Sequence, residues 1–205
     1  ARLLKEAEQD DYCNLFIVAM FTGMRQGELL GLAWECVDFQ TGIITVKQQL
    51  QCKDGNYFLE TPKSGKNRTI LPAPIVMDAL RNQLERQQKE QEQAGKMWDN
   101  QFNLVFTDAL GKYLVRRTVV KHFKKISQRA GISDDARFHD LRHSCASLLY
   151  ANGVALKDIQ EWLGHSDIGT TSNIYTHLDY SNKVSSANAI LPAYPQNVQV
   201  DAIGQ

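Results

Sequence analysis

Residues 137–153 read RFHDLRHSCASLLYANG, with His139, Arg142 and His143 inside five residues and an apolar stretch after them. A surface helix that solvated these cations itself would set carboxylates against them, yet the only nearby acid is Asp140. The pattern predicts an anion supplied from outside the chain. Other residues able to do chemistry are scattered. Arg25 follows a Thr22-Gly23 turn, and Glu28 lies one helical turn on, on the same face. Lys63 sits in the turn TPKSGK, His165 in WLGHSD just past a helix stop at Gly164, and Tyr175 in NIYTHL.

Each has an ordinary structural reading. Arg25 and Glu28 suit an intrahelical ion pair, a lysine in a turn is usually solvated, and a tyrosine in such a segment often anchors it. His165 after a glycine suits the negative end of a helix dipole. Together they answer one chemical problem, the cleavage of a phosphodiester without a metal. The non-bridging oxygens gain charge in the transition state and need fixed cations, for which the planar fork of arginine is well suited. A nucleophile must attack in line, and the leaving oxygen needs a proton from a positioned acid. Arg25, Arg142, His139, His165, Lys63 and Tyr175 supply these groups. No His/Cys/Asp cluster with metal spacing and no glycine-rich phosphate loop is present, so neither a metal nor a cofactor is expected.

Helical spacing predicts helix over 2–21 in two pieces, over the stretch after Gly23 up to about 34, and over 73–94, where Ile75, Leu80 and Leu84 mark the apolar side. Further helices are predicted after Gly111 to Gly131, and over 138–151, 155–163, about 168–176 and about 181–191. Residues 42–50, 56–61 and 67–72 are rich in β-branched and aromatic residues and are separated by KDG and PKSGK turns, which predicts a three-stranded antiparallel meander. NLVFTD, 103–108, reads as a short strand. The tail from Pro192 carries no pattern.

The length, 205 residues, suits one domain or a domain with a small appendage, and 43% hydrophobic content allows a core. No apolar run approaches the ~18 residues of a membrane span, and no signal-peptide pattern is present. Four cysteines without a CxxC pair favour a reduced, cytosolic setting. With 23 basic and 23 acidic side chains the net charge is zero, so nucleic-acid binding must rest on local charge. Residues 111–130 offer it: Lys112, Arg116, Arg117, Lys121, Lys124, Lys125 and Arg129, with no acid.

TGMRQGELLGLAW, TPKSGKNRTILP, HDLRHSCASLLYANG and LGHSDIGTTSNIYTHL, in this order, resemble the catalytic domain of the tyrosine recombinases, the phage and conjugative-transposon integrase family. The resemblance covers most of residues 10–180 and is nearest to integrases of bacterial mobile elements. It implies an α+β fold, mostly helical with a small three-stranded antiparallel sheet. Residues 1–191 would be a catalytic domain without the family's N-terminal core-binding domain, as the missing Met and abrupt helical start also suggest, and 192–205 a flexible tail. It further implies that Arg25 and Arg142 clamp the scissile phosphate and that Tyr175 attacks it to form a 3′-phosphotyrosyl link. Lys63 would protonate the leaving 5′-oxygen, with Lys66 competing for that role. His139 would assist proton transfer, His165 would hydrogen-bond a non-bridging oxygen, and Glu28 would hold Arg25. Lys66, Arg68, Arg116, Arg117 and Lys121 are the cations expected on DNA. The expected partners are double-stranded DNA attachment sites, a homotetramer on DNA built through residues 181–191, and accessory DNA-bending or excision factors, with a monomer in the absence of DNA. A bacterial cytoplasmic location follows. A type IB topoisomerase shares the chemistry but not the LGHSD…NIYTHL form, and a non-catalytic DNA-binding relative would not need all six residues.

Overall fold

A computed structural model describes residues 2–61 and 67–164. Its centre is a helix, α2 (Cys13–Thr22), preceded by the short α1 (Arg2–Ala7). CNLFIVAMFT is apolar on every side, which suits a helix packed all round, and Leu15, Phe16, Val18, Ala19 and Thr22 are buried. It stops at Gly23, whose φ of 64° is the left-handed conformation in which glycine carries no Cβ penalty. The chain reverses there into α3 (Gln26–Leu30), only five residues long, and a 3₁₀ turn at Trp34–Cys36. The helix predicted up to residue 34 is therefore shorter than its composition suggests.

Five short strands follow: β1 (Val37–Asp38), β2 (Ile43–Val46), β3 (Gln49–Lys53), β4 (Asn56–Glu60) and β5 (Arg68–Ile70). They correct the predicted meander. Residues 42–50 are not one strand but two, broken at Lys47-Gln48, and β2 pairs with β1 and β5 in a three-stranded antiparallel sheet (Ile44 opposite Ile70, Val46 opposite Arg68). β3 and β4 form a separate ribbon, closed by Asp54 and Gly55, both at positive φ, as a two-residue hairpin turn requires. The break coincides with close packing of the chain against Gly31, at the end of α3. A Cβ on Gly31 would lie 2.6 Å from the Leu50 main-chain nitrogen, and the Gln48 side chain donates to the Gly31 carbonyl at 2.8 Å. The ribbon is thus drawn onto α3 and away from the sheet. Alternation in sequence identified the strands but not their partners.

α4 (Pro74–Ala94) begins with proline at its first turn, where the missing N–H costs nothing. Its buried side is Val76, Met77, Ala79 and Leu80 with Gln83 and Gln87, whereas Ile75 is exposed. Gln87 accepts from the Trp34 indole at 2.6 Å and donates to the Leu104 carbonyl and Thr107 Oγ1, each at 3.0 Å, so its burial leaves no polar atom stranded. Residues 103–108 make only isolated bridges, Leu104 to Ala33 and Thr107 to Tyr113, rather than a strand. α5 (Arg116–Arg129) starts later than predicted, leaving Lys112 ahead of it. α6 (Asp140–Ala151) and α7 (Leu156–Leu163) complete the described fold. Phe16, Phe123 and Phe138, with ring centroids 5.9–6.4 Å apart, join α2 to α5 and the approach to α6. The predicted helices near 168–176 and 181–191 and the tail from Pro192 lie outside the described residues.

Gly31→Ala is expected to lower the thermal midpoint, at a cost of about 1–3 kcal/mol as in other overpacked sites, because backbone rather than a movable side chain blocks the new methyl. Thermal denaturation followed by circular dichroism measures it; an unchanged midpoint would refute the close approach of α3 and β3.

Candidate active site

The turn at Gly23 places Arg25 at the N-terminus of α3 in an extended conformation, φ −64° and ψ 150°. Its main-chain N–H donates to Glu28 Oε2 at 2.8 Å and its Nη1 to Oε1 at 2.9 Å. The carboxylate three residues into a helix reaches back to the first free N–H, a common helix start, and here it also orients a guanidinium. The contact expected from the spacing is present. Residue spacing held no hint of a second partner. Arg68, on β5, donates from Nη1 to Oε1 at 3.0 Å and from Nη2 to Oε2 at 2.7 Å. Arg68 was expected among the cations facing DNA. Instead only 9% of its side chain is exposed, its Nε donates to the Trp162 carbonyl at 3.1 Å, and each nitrogen of its fork has a partner within the chain. Burial disfavours the ionised form of Glu28, but the hydrogen bonds and charges of Arg68 and Arg25 outweigh it and hold the carboxyl at about 2.

Arg142 comes from the first turn of α6 and is 2% exposed. Nη1 donates to the Gly23 carbonyl at 2.5 Å and Nη2 to the Leu163 carbonyl at 2.7 Å. Its buried Nε has no hydrogen-bond partner, and no carboxylate among the described residues pairs with it. Burial first, then the charge of Arg25, pushes its pKa down to about 9, which leaves it a cation at neutral pH.

The last turn of α7 collects these arginines. Three successive carbonyls accept from three different guanidiniums: Trp162 from Arg68, Leu163 from Arg142, and Gly164 from Arg25 at 3.0 Å. Such carbonyls lack partners within their own helix and lie at the negative end of its dipole, so cations are natural partners. Trp162 fixes the helix further by donating its indole N–H to the Thr22 carbonyl at 3.0 Å. Gly23 makes the approach possible: a Cβ there would stand 2.5 Å from Leu163 Cδ2.

His139 immediately precedes α6 and is exposed, with its ring edge-on to His143 at 5.0 Å. Partial desolvation, then the charges of His143, Arg142 and Arg25, hold its pKa below the ordinary imidazole value, which favours the neutral ring. Nearby, Arg116 donates to Gln51 Oε1 at 3.2 Å, and its own carbonyl accepts from Gln26 at 3.2 Å, so the start of α5 adjoins the start of α3. Arg117 and Lys121 are exposed on the side of α5 away from buried Val119, Phe123 and Ile126. Not all of the predicted basic row is free: Lys124 donates to the Asp134 carbonyl and Arg129 to that of Glu6. Lys63, Lys66, His165 and Tyr175 lie outside the described residues. Among the described residues no cluster of His, Cys, Asp and Glu could hold a metal, and no helix is long and apolar enough to cross a membrane.

The structure therefore brings together Arg25, Glu28 and Arg142, with His139 in their field. It adds Arg68, which the sequence analysis placed among the cations expected on DNA, and the carbonyls of residues 162–164, which sequence reasoning missed because main-chain acceptors leave no mark on residue type. The model of the phage integrase family matches residues 1–182. The chain belongs to that family. It is 35% identical over 188 residues to a tyrosine recombinase XerC-like protein of Caldanaerobacter subterraneus subsp. tengcongensis, a match covering 86% of this chain and 48% of that one. The chain thus spans about half the length of such curated relatives. The fold is similar to that of the Tn1549 transposon integrase solved with transposon right end DNA (TM-score 0.77, 22% identity, covering 92% of this chain and 63% of that one). It is also similar to XerA recombinase (TM-score 0.67, 26% identity, covering 95% and 62%). These likenesses bear out the expected family and a mostly helical fold with a small antiparallel sheet.

Because the carboxyl of Glu28 is held at about 2 against an ordinary 4.5, it contributes stability that is present above pH 4.5 and lost as pH falls from there toward 2. Urea denaturation across that window is expected to show a steep loss in the wild-type chain and a flatter one in Glu28→Gln. Equal slopes would contradict the buried pairing.

Proposed function

We propose that this chain is the catalytic part of a site-specific DNA recombinase that breaks and rejoins DNA through a covalent 3′-phosphotyrosyl intermediate, integrating and excising a mobile element. One observation carries the reading: among the described residues three guanidiniums, Arg25, Arg68 and Arg142, gather at the end of α7 with a single carboxylate, Glu28, which pairs with Arg25 and Arg68 only, so two positive charges are left over. A phosphodiester carries one negative charge and approaches two in the trigonal-bipyramidal transition state. A site with two fixed, partly desolvated cations favours the transition state over the ground state, which is the condition for acceleration rather than mere binding.

In this reading Arg25 and Arg142 hold the non-bridging oxygens. The Tyr175 oxygen attacks phosphorus and loses its proton as the bond to the 5′-oxygen breaks. Lys63, with Lys66 as the competing candidate, gives that oxygen a proton, leaving a 5′-hydroxyl. His139, kept neutral, accepts or relays the tyrosyl proton, and His165 donates to a non-bridging oxygen. The ester conserves the energy of the broken bond, so a second 5′-hydroxyl can displace tyrosine without ATP. No metal or cofactor has a part. Arg116, Arg117 and Lys121, on the N-terminal half of α5 whose first residue adjoins Gln26, track the flanking phosphates. Residues 1–191 would be the catalytic unit, ahead of a tail at 192–205, and residues 181–191 would dock on the next protomer of a tetramer on attachment-site DNA in the bacterial cytoplasm.

Nicked duplex DNA incubated with the chain should yield an adduct that survives a denaturing gel, undiminished by EDTA. Tyr175→Phe should abolish the adduct and keep DNA binding; an adduct with that variant would remove Tyr175 as nucleophile. Binding should weaken steeply with salt, and replacing Arg117 or Lys121 by alanine should each lower the slope of log K against log salt by about one. An unaltered slope in both variants would refute the α5 contact.

A further inference from the structure

Glu28 has two guanidiniums competing for one negative charge, and they are not equivalent. Arg68 meets it fork to fork, 3.0 Å and 2.7 Å, with its third edge on the Trp162 carbonyl and little solvent access. Parallel bidentate bonds in a desolvated setting are the strong form of this pair. Arg25 gives the carboxylate one side-chain bond, sends its other terminal nitrogen to the Gly164 carbonyl, and keeps 30% of its side chain exposed. Glu28 is itself 1% exposed, so its charge is answered by protein and not by water.

We infer that Arg68 is a positioning residue for the reaction: by pairing with Glu28 it keeps that carboxylate from neutralising Arg25, so Glu28 orients the Arg25 fork while its charge stays available to the phosphate. The inference rests on the recombinase reading above. Without the Arg68 charge, the whole negative charge of Glu28 falls on Arg25, and the site's surplus drops from two positive charges to one. Phosphate affinity is spread over many other cations, whereas the second charge of the transition state is felt only at the centre. Loss of Arg68 therefore reduces cleavage more than binding. The same logic predicts compensation: once Glu28 is also made neutral, there is nothing left for Arg68 to offset. A residue that merely held α7 through the Trp162 carbonyl would show no such rescue.

The experiment uses a pool of nicked duplexes with a randomised central segment. Covalent adducts of the wild-type chain are recovered and sequenced, and one recovered duplex is then used for single-turnover cleavage, equilibrium binding and thermal denaturation. Arg68→Gln is expected to slow cleavage by about 10- to 100-fold, within the span of couplings between members of one salt-bridge network, with binding retained. The double variant Arg68→Gln/Glu28→Gln should recover most of that loss. Arg68→Lys, which keeps the charge, should stay within about tenfold of wild type. A double variant no faster than Arg68→Gln, or Arg68→Gln cleaving like wild type, would overturn the assignment. If Arg68→Gln is unfolded at the assay temperature, Arg68→Lys decides, and a folded Arg68→Lys chain slowed by more than about 100-fold would overturn it. A wild-type chain that forms no adduct with any member of the pool would instead sink the recombinase reading, and this inference with it.

Discussion

The buried charge of Arg142 is the constraint on which the other contacts of the site depend. Moving a cation out of water costs several kcal/mol even after relaxation, and an opposite charge is the usual remedy. Among the described residues Arg142 has no carboxylate. It is solvated by two carbonyls, from Gly23 at the end of α2 and from Leu163 at the end of α7. Helix C-termini are the one place where a protein carries unpaired main-chain acceptors with a favourable field. The same guanidinium therefore fastens three helices and keeps its full positive charge. A carboxylate in place of those carbonyls would have cancelled the charge that the proposed phosphate chemistry uses.

The end of α7 extends this arrangement to Arg68 and Arg25, so three elements distant in sequence report to one helical turn. Glycine is needed twice. Gly23 admits Leu163, and Gly164 adopts a φ of 68° while its carbonyl receives Arg25; a Cβ there would stand 2.9 Å from the Arg68 side chain. The next residue in the sequence is His165, so the chain leaves this cluster at the position where the family resemblance expects another phosphate ligand.

Most of the helices were legible in the sequence, because apolar spacing and the stops at Gly23, Gly131 and Gly164 are local signals. The pairing of strands was not. β2 chooses β5 over the neighbouring β3 because Gly31 lets the ribbon sit on α3, a contact between residues about twenty apart that no periodicity encodes. In the site, Arg25 with Glu28 was legible from spacing, and so was the histidine-arginine start of α6. The burial of Arg68 was not legible, for a physical reason. Its position in a short strand beside a lysine-rich turn suits a surface cation, and only the buried Glu28 carboxylate turns it inward. Solvent exposure of a charged residue is a tertiary property when its partner is itself buried.

A chain with equal numbers of acids and bases cannot bind a polyanion through bulk charge. That neutrality has a mechanistic use. Strong uniform attraction would hold ground state and transition state alike, lowering the apparent affinity constant without raising the rate of the chemical step. Here two guanidiniums, Arg25 and Arg142, converge on the last turn of α7, and the nearby imidazole of His139 is held toward its neutral form by partial desolvation first and then by the charges of His143, Arg142 and Arg25. Under the proposed reading, a third fixed charge there would tighten the complex with intact DNA. In the proposed reaction a neutral ring can accept a proton, so the field of Arg25 and Arg142 would serve both the developing phosphorane and the base beside it.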